Sequence, residues 1–182
     1  MRIIGGEARG RRLFAPEGLE TRPTADKVRE SLFNILRLDT PGARVLDLFA
    51  GSGALALEAL SRGAQSAVLV DCSRRAADVA RRNIALCRAE QRARLLVCDW
   101  QRALDSLSEP FDLVFLDPPY RMLPVYDQAA CALLDKGLLA EQAVLVMEHA
   151  SESALPLSQA FEIYDERRYG AATIALVRRS QP

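Results

Sequence analysis

Val45-Leu-Asp-Leu-Phe-Ala-Gly-Ser-Gly-Ala-Leu-Ala56 changes its periodicity halfway through. Val45 to Phe49 reads as a short buried strand, and Ala54 to Arg62 reads as a helix. Between them, Gly51 and Gly53 permit a tight turn and let a ligand approach the backbone closely. A strand that ends in a glycine turn and opens a helix is half of a parallel βαβ unit.

The same alternation continues downstream. Ser66 to Asp71 reads as a second strand, Arg74 to Cys87 as a helix, and Arg94 to Cys98 as a third strand. A short helix from Trp100 to Leu107 follows, then a fourth strand from Phe111 to Leu116, a helix over Tyr126 to Leu134, and a fifth strand from Ala143 to Glu148. Short strands alternating with helices predict a parallel sheet covered on both faces. The tail breaks the pattern: Phe161 to Arg168 and Thr173 to Arg178 flank Tyr169-Gly-Ala-Ala, which predicts an antiparallel pair at the sheet edge. The expected fold is therefore α/β and Rossmann-like, a mostly parallel seven-stranded sheet with helices on both faces.

Upstream, Arg2-Ile-Ile-Gly-Gly6 and Gly10-Arg-Arg-Leu-Phe14 read as a small β-hairpin. Thr24 is a good N-cap for a helix from about Ala25 to Arg37, where Val28, Leu32, Ile35 and Leu36 recur at helical spacing. This divides the chain into a hairpin-and-helix extension, residues 1–41, and a main domain, residues 42–182.

Lys and Arg together number 24, as do Asp and Glu, so net charge argues neither for nor against a nucleic-acid partner. The distribution says more. Arg2, Arg9, Arg11 and Arg12 face only Glu7 in the first twelve residues, a basic arm that either meets phosphates or is simply solvated. Cys72, Cys87, Cys98 and Cys131 form no C-x-x-C pair and His149 is the single histidine, so no metal site is expected. Reduced thiols suit the cytoplasm. No apolar run approaches the ~18 residues of a membrane span, and the N-terminus lacks the apolar core of a signal peptide.

The strand ends carry the chemistry. Gly51-Ser-Gly-Ala-Leu-Ala56 fits the dinucleotide pattern, with Asp71 twenty residues beyond Gly51. That leaves a nicotinamide or flavin enzyme as a rival reading. Against it, Asp47 would place a negative charge where a pyrophosphate must sit. The sulfonium and ammonium of S-adenosylmethionine suit that carboxylate better, with the glycine backbone packed against the ligand. Asp71 suits ribose hydroxyls and Asp99 an adenine amine, with Trp100 alongside or else in the core.

Asp117-Pro-Pro-Tyr120 ends the fourth strand. Pro118 and Pro119 remove two backbone donors and stiffen the loop. An exocyclic base amine is a poor nucleophile because its lone pair is delocalised into the ring. The Asp117 carboxylate and the Pro118 carbonyl can accept its N–H groups and draw the nitrogen towards a tetrahedral geometry. Tyr120 offers a stacking face for an unpaired or flipped-out base. His149 follows the fifth strand, but amine methylation needs no imidazole, and a structural role suits it better.

The chain resembles the bacterial 16S ribosomal RNA guanine-N2 methyltransferases, small Rossmann-like enzymes of the class I methyltransferase fold. Arg2-Ile-Ile-Gly-Gly6, Arg9-Gly-Arg11, Arg22-Pro-Thr24 and Asp26-Lys-Val-Arg-Glu-Ser-Leu-Phe-Asn34 are similar to that family's N-terminal signature. Asp47 to Ser61 and Phe115-Leu-Asp-Pro-Pro-Tyr120 are similar to its cofactor and catalytic motifs. The resemblance implies S-adenosylmethionine as cofactor, held by Asp47, Phe49, Gly51, Gly53, Asp71, Asp99 and Trp100. It implies that Asp117, Pro118, Pro119 and Tyr120 hold the guanine amine, and that Arg2, Arg9, Arg11, Arg12 and Arg22 meet RNA phosphates. The implied substrate is 16S RNA in the small subunit or a late assembly intermediate, modified by a monomer. Asp71 stands where many members have Glu, and Tyr169-Gly-Ala-Ala lacks an Asp after its glycine.

Three other readings compete. A DNA adenine-N6 or cytosine-N4 methyltransferase shares Asp-Pro-Pro-Tyr, but the chain has no spare block for target recognition. A nicotinamide-dependent oxidoreductase would bind NADH instead of S-adenosylmethionine. A non-catalytic RNA-binding assembly factor would tolerate loss of Asp117.

Overall fold

Five helices and seven strands follow one another in a computed structural model that describes residues 1–15, 23–119 and 122–180. In chain order they are α1 (Pro23–Ile35), β1 (Arg44–Asp47), α2 (Ala54–Ser61), β2 (Ser66–Val70), α3 (Arg74–Leu86), β3 (Ala93–Leu96), α4 (Trp100–Asp105), β4 (Phe111–Leu116), α5 (Pro124–Asp135), β5 (Leu139–Ala150), β6 (Phe161–Tyr169) and β7 (Ala172–Arg179). The strands form one sheet in the order β3-β2-β1-β4-β5-β7-β6. Pairing is parallel from β3 to β5, and β7 runs antiparallel to both β5 and β6. This is the Rossmann-like fold of class I methyltransferases. The parallel run brings the carboxyl ends of β1 to β5 to one edge, where such sheets place ligands.

The period of two along each strand sorts side chains between two cores. Val45, Leu113, Phe115, Val144 and Val146 face one core, together with residues of α1, α2 and α3. Leu46, Val114, Leu116, Leu145 and Met147 face the other, together with residues of α4 and α5. Helix α1 begins at Pro23, one residue before Thr24, so Thr24 lies within the first turn and not at the expected position ahead of it. A proline is well suited to that opening position, because its missing N–H would have no helical partner.

The N-terminal residues form the expected hairpin, closed by a bridge between Arg2 and Arg12 and by the bond from Ile3 N to the Arg11 carbonyl at 3.0 Å. It is built into the wall of the domain. Ile3, Ala8 and Leu13 are buried in the same core as Phe33, Leu57 and Phe115, so the extension has no core of its own. A Cβ at Gly6 would lie 1.7 Å from the Ser61 carbonyl oxygen, and only glycine permits that approach.

Glu58 of α2, fully buried, anchors the hairpin: its carboxylate accepts Ile4 N at 2.7 Å and Gly5 N at 2.9 Å. Arg62 donates to it at 2.7 Å, and Arg29 Nε stands 3.7 Å away, an ion-pair distance. Ser61 completes the clamp, accepting Ala8 N at 2.9 Å and donating to the Gly5 carbonyl at 2.6 Å.

Candidate methyl-transfer site

Asp47 ends β1 and is only 2% exposed. Desolvation pushes its carboxyl up to about 7, aided by the nearby charge of Asp71 and opposed by hydrogen bonds from the backbone of Ala56 and Phe49. A buried acid in this state favours a cationic neighbour. Phe49, half-buried, packs against the second core. Gly51 and Gly53 both adopt positive φ in the turn that leads into α2. They do different work. A Cβ on Gly53 would lie 2.8 Å from Leu69, so Gly53 lets the turn pack on β2, whereas the space in front of Gly51 is open.

Asp71 lies just past β2 and reaches back to that turn. Its Oδ2 accepts Gly51 N at 2.8 Å and its Oδ1 accepts Ser73 N at 2.8 Å. An ionised carboxylate offers about four lone-pair sites, so both oxygens can still accept ligand hydroxyls. Asp99 is exposed and caps α4, with Oδ1 accepting Arg102 N at 2.9 Å. By the same lone-pair count, its carboxylate can cap the helix and still accept from an amine. Trp100, 9% exposed, packs into the second core beside Leu104 and Val70. Its ring thus serves the core side of this edge.

Asp117 follows β4, with Pro118 buried and Pro119 exposed after it. Strand alternation puts Asp117 on the face of Leu113 and Phe115, which is also the face of Asp47 beside Val45. Desolvation, then the charges of Glu148 and Asp47, hold the Asp117 carboxyl well above the usual carboxylate range. Asp117 is nonetheless exposed, so water tempers that shift, and the like charges of Glu148 and Asp47 act in the same direction as desolvation. Tyr120 lies outside the described residues.

Glu148 ends a strand legible in the sequence, but local pattern alone assigns it no role. The register pairs Leu116 with Met147, so Glu148 on β5 stands beside Asp117, one residue past β4. The recurrence of carboxylates at strand ends, which singles out Asp47, Asp71, Asp99 and Asp117, is the signal that extends to it. His149 points to the opposite face, buried, its Nδ1 donating to the Ala150 carbonyl at 3.0 Å and its Nε2 lying 3.4 Å from Glu166.

On the basic arm, Arg2, Arg9 and Arg12 are exposed. Arg11 is half-buried and donates to the Leu86 carbonyl at the end of α3, so part of its role is structural. Arg22 lies outside the described residues. The structure adds arginines that the linear order concealed. Phe14 docks on α3 through Asn83, whose Oδ1 accepts Phe14 N at 2.8 Å, and the Arg82 guanidinium lies 3.9 Å from the Phe14 ring centroid. Arg82 of α3 thereby joins the arm, and Arg74, Arg75 and Arg81, the last paired with Asp78, are exposed on the same helix.

The glycine turn, the open space before Gly51 and the buried Asp47 carboxyl fit S-adenosylmethionine better than a dinucleotide. A pyrophosphate placed there would face Asp47, whereas a sulfonium and an ammonium would neutralise it. Similarity to other proteins agrees. The family model described as "Conserved hypothetical protein 95" matches residues 1–178. Ribosomal RNA small subunit methyltransferase D of Escherichia coli K12 is 38% identical over 180 residues, covering 98% of this chain and 90% of that protein.

The chain belongs to the ribosomal RNA small subunit methyltransferase D family.

The counterpart of that name in Haemophilus influenzae is 33% identical over 97% of this chain and 92% of its own length. The solved structure of Escherichia coli yhhF superposes with a TM-score of 0.86 at 36% identity, covering 100% of this chain and 99% of that one. The ribosomal RNA small subunit methyltransferase D family thus matches this chain from the hairpin through the sheet. Among the described residues no group of three or more His, Cys, Asp or Glu could hold a metal ion. No helix among them is long and apolar enough to cross a membrane.

Proposed function

We propose that the protein methylates the exocyclic N2 amine of a guanine in 16S ribosomal RNA of the small subunit, with S-adenosylmethionine as methyl donor. The observation that carries this reading is the placement of Asp47 and Asp117 on one face at the carboxyl edge of adjacent parallel strands, with the glycine turn beside them. When bound, S-adenosylmethionine supplies an electrophilic methyl group. Asp47 and the turn at Gly51 hold its cationic end, and Asp71 accepts from its ribose.

Asp117 and the Pro118 carbonyl orient the amine by accepting its N–H groups, which raises lone-pair density on nitrogen. Once the nitrogen carries the methyl group and a positive charge, the Asp117 carboxylate takes its proton. A carboxyl held above its usual range is a better acceptor for that step than an ordinary aspartate. Arg9, Arg12 and the arginines of α3 supply a phosphate-binding surface, and the site acts on a base turned out of its stack.

The test is labelled methyl transfer offered to small subunits lacking the modification, to naked 16S RNA and to DNA, followed by nucleoside analysis. N2-methylguanosine from the RNA substrates supports the reading. N6-methyladenine or N4-methylcytosine from DNA instead would replace it with the DNA-methyltransferase alternative.

A further inference from the structure

Asp117 explains how an amine is held, but every base with an exocyclic amine offers one. Adenine, cytosine and guanine differ in the atom next to that amine. In guanine the ring nitrogen N1 carries a hydrogen and donates. In adenine and cytosine the adjacent ring nitrogen is a bare acceptor. A site that takes guanine therefore needs a second acceptor beside the first, and a site for adenine or cytosine must lack one.

The sheet supplies that second acceptor. β4 and β5 are parallel neighbours, in register from Leu113 opposite Val144 to Leu116 opposite Met147. One residue further along lie Asp117, just past β4, and Glu148 of β5, and the two strands run about 4.7–4.9 Å apart by sheet geometry. Both follow the alternation of the first core face, Leu113 and Phe115 before Asp117, Val144 and Val146 before Glu148. Glu148 is half-buried, and its backbone is fixed by the Tyr126 hydroxyl, which donates to the Glu148 carbonyl. The two carboxylates repel, and after desolvation the charge of Glu148 is a further cause that raises the Asp117 carboxyl. Parallel N–H groups from one base edge relieve that repulsion, whereas a bare ring nitrogen placed there adds a third negative dipole.

We infer that Glu148 is the specificity-determining residue, accepting N1–H of the target guanine while Asp117 accepts from its N2 amine. This inference rests on the guanine-N2 reading above and deepens it. Within the shared Asp-Pro-Pro-Tyr chemistry, Glu148 of β5 selects the base.

2-Aminopurine keeps the N2 amine of guanine but has a bare N1 and no O6, so the change in the guanine-to-2-aminopurine ratio on Glu148→Gln separates the N1 contact from the loss of O6. Small subunits are assembled with 16S RNA carrying either guanine or 2-aminopurine at the methylated position, and transfer is measured for the native enzyme and for Glu148→Gln. The native enzyme should favour guanine by at least about 100-fold, a floor below the roughly 10⁴-fold by which a site built to bond an N–H rejects an analogue that lacks it. In Glu148→Gln, guanine turnover should fall and the ratio should close to within several-fold of one, because the amide can donate as well as accept. Calorimetric binding of S-adenosylmethionine confirms that the variant is folded.

A native enzyme that methylates both bases equally overturns the role of Glu148, whatever the variant does. So does a variant that retains the native ratio. In either case guanine is still methylated and the proposed function stands. If the native enzyme methylates no guanine, both readings fall together.

Discussion

The Oδ2 atom of Asp71 accepts the backbone N–H of Gly51 at 2.8 Å, so the acid beyond β2 holds the glycine turn that follows β1 before any ligand arrives. Asp71→Ala should therefore act twice, removing a ribose acceptor and loosening the turn. S-adenosylmethionine affinity should drop about 10- to 100-fold, since hydrogen bonds to charged groups are worth about 1.5–3 kcal/mol each. Hydrogen exchange at the Gly51 amide should accelerate even without ligand. A variant that loses affinity with no change in that exchange would restrict Asp71 to ligand binding.

Asp117→Ala should lower methyl transfer by at least about 100-fold, the scale seen when one preorganised electrostatic partner is removed. Cofactor affinity should stay within several-fold, because Asp117 belongs to the acceptor side. Single-turnover transfer alongside calorimetry separates the two effects. Native turnover in this variant would dismiss the amine-gripping role.

Asp47 makes pH a handle. Its carboxyl lies at about 7 in the fold against an ordinary value of 3.8, so between those values the folded protein binds a proton that the unfolded chain has released. The contribution of this group to stability is greatest below pH 4 and declines as pH rises towards 7. Cofactor affinity should move the other way, strengthening over the upper part of that window as the carboxylate ionises and attracts the ligand's positive charge. Asp47→Asn should flatten this part of both profiles, raise the melting temperature of the ligand-free protein at pH 8 and weaken cofactor binding. Thermal unfolding and calorimetry from pH 5 to 8 test both signs.

Glu58→Ala should be among the most destabilising single changes, because it leaves Arg29 with Asp26 alone as a carboxylate partner, takes the acceptor from Arg62 and unties Ile4 and Gly5. Breaking one partner of a buried ion pair costs about 3–5 kcal/mol. For a chain of this size that lowers the melting temperature by roughly 10 °C. The hairpin amides should lose hydrogen-exchange protection before the sheet does. Equal loss throughout the molecule would mean that the hairpin and the domain unfold as one unit.

Arg9→Ala with Arg12→Ala should weaken RNA binding and reduce the slope of affinity against salt by up to about 2, near one unit for each phosphate the arm no longer neutralises. Arg11→Ala should instead cost stability, since Arg11 donates to the Leu86 carbonyl at the end of α3. An unchanged salt slope in the double variant would mark the arm as merely solvated.

The glycine turn, the alternation of strands with helices and the prolines after Asp117 are legible in the chain because each is a local signal. Backbone sterics and side-chain period act over a few residues, and they are enough to predict the layers, the antiparallel edge pair and the ligand-binding edge. Thr24 shows the limit of that reading: a good capping residue is overtaken by a proline that opens the helix two positions before the expected Ala25.

What lies far apart in sequence was decided only by the tertiary structure. The arm that reads as an appendage is part of the core, because Ile4 and Gly5 need an acceptor for their N–H groups and Glu58, more than fifty residues away, supplies it. Arg11 turns from a surface charge into a tether, and Arg82 of α3 joins the arm at Phe14, which Asn83 docks on the helix. Glu148 comes to stand beside Asp117 through the register of two parallel strands joined by a helical crossover. Sequence alone determined which residues end strands and what chemistry each can perform; sheet pairing, set by burial and long-range hydrogen bonds, decided which of those ends meet.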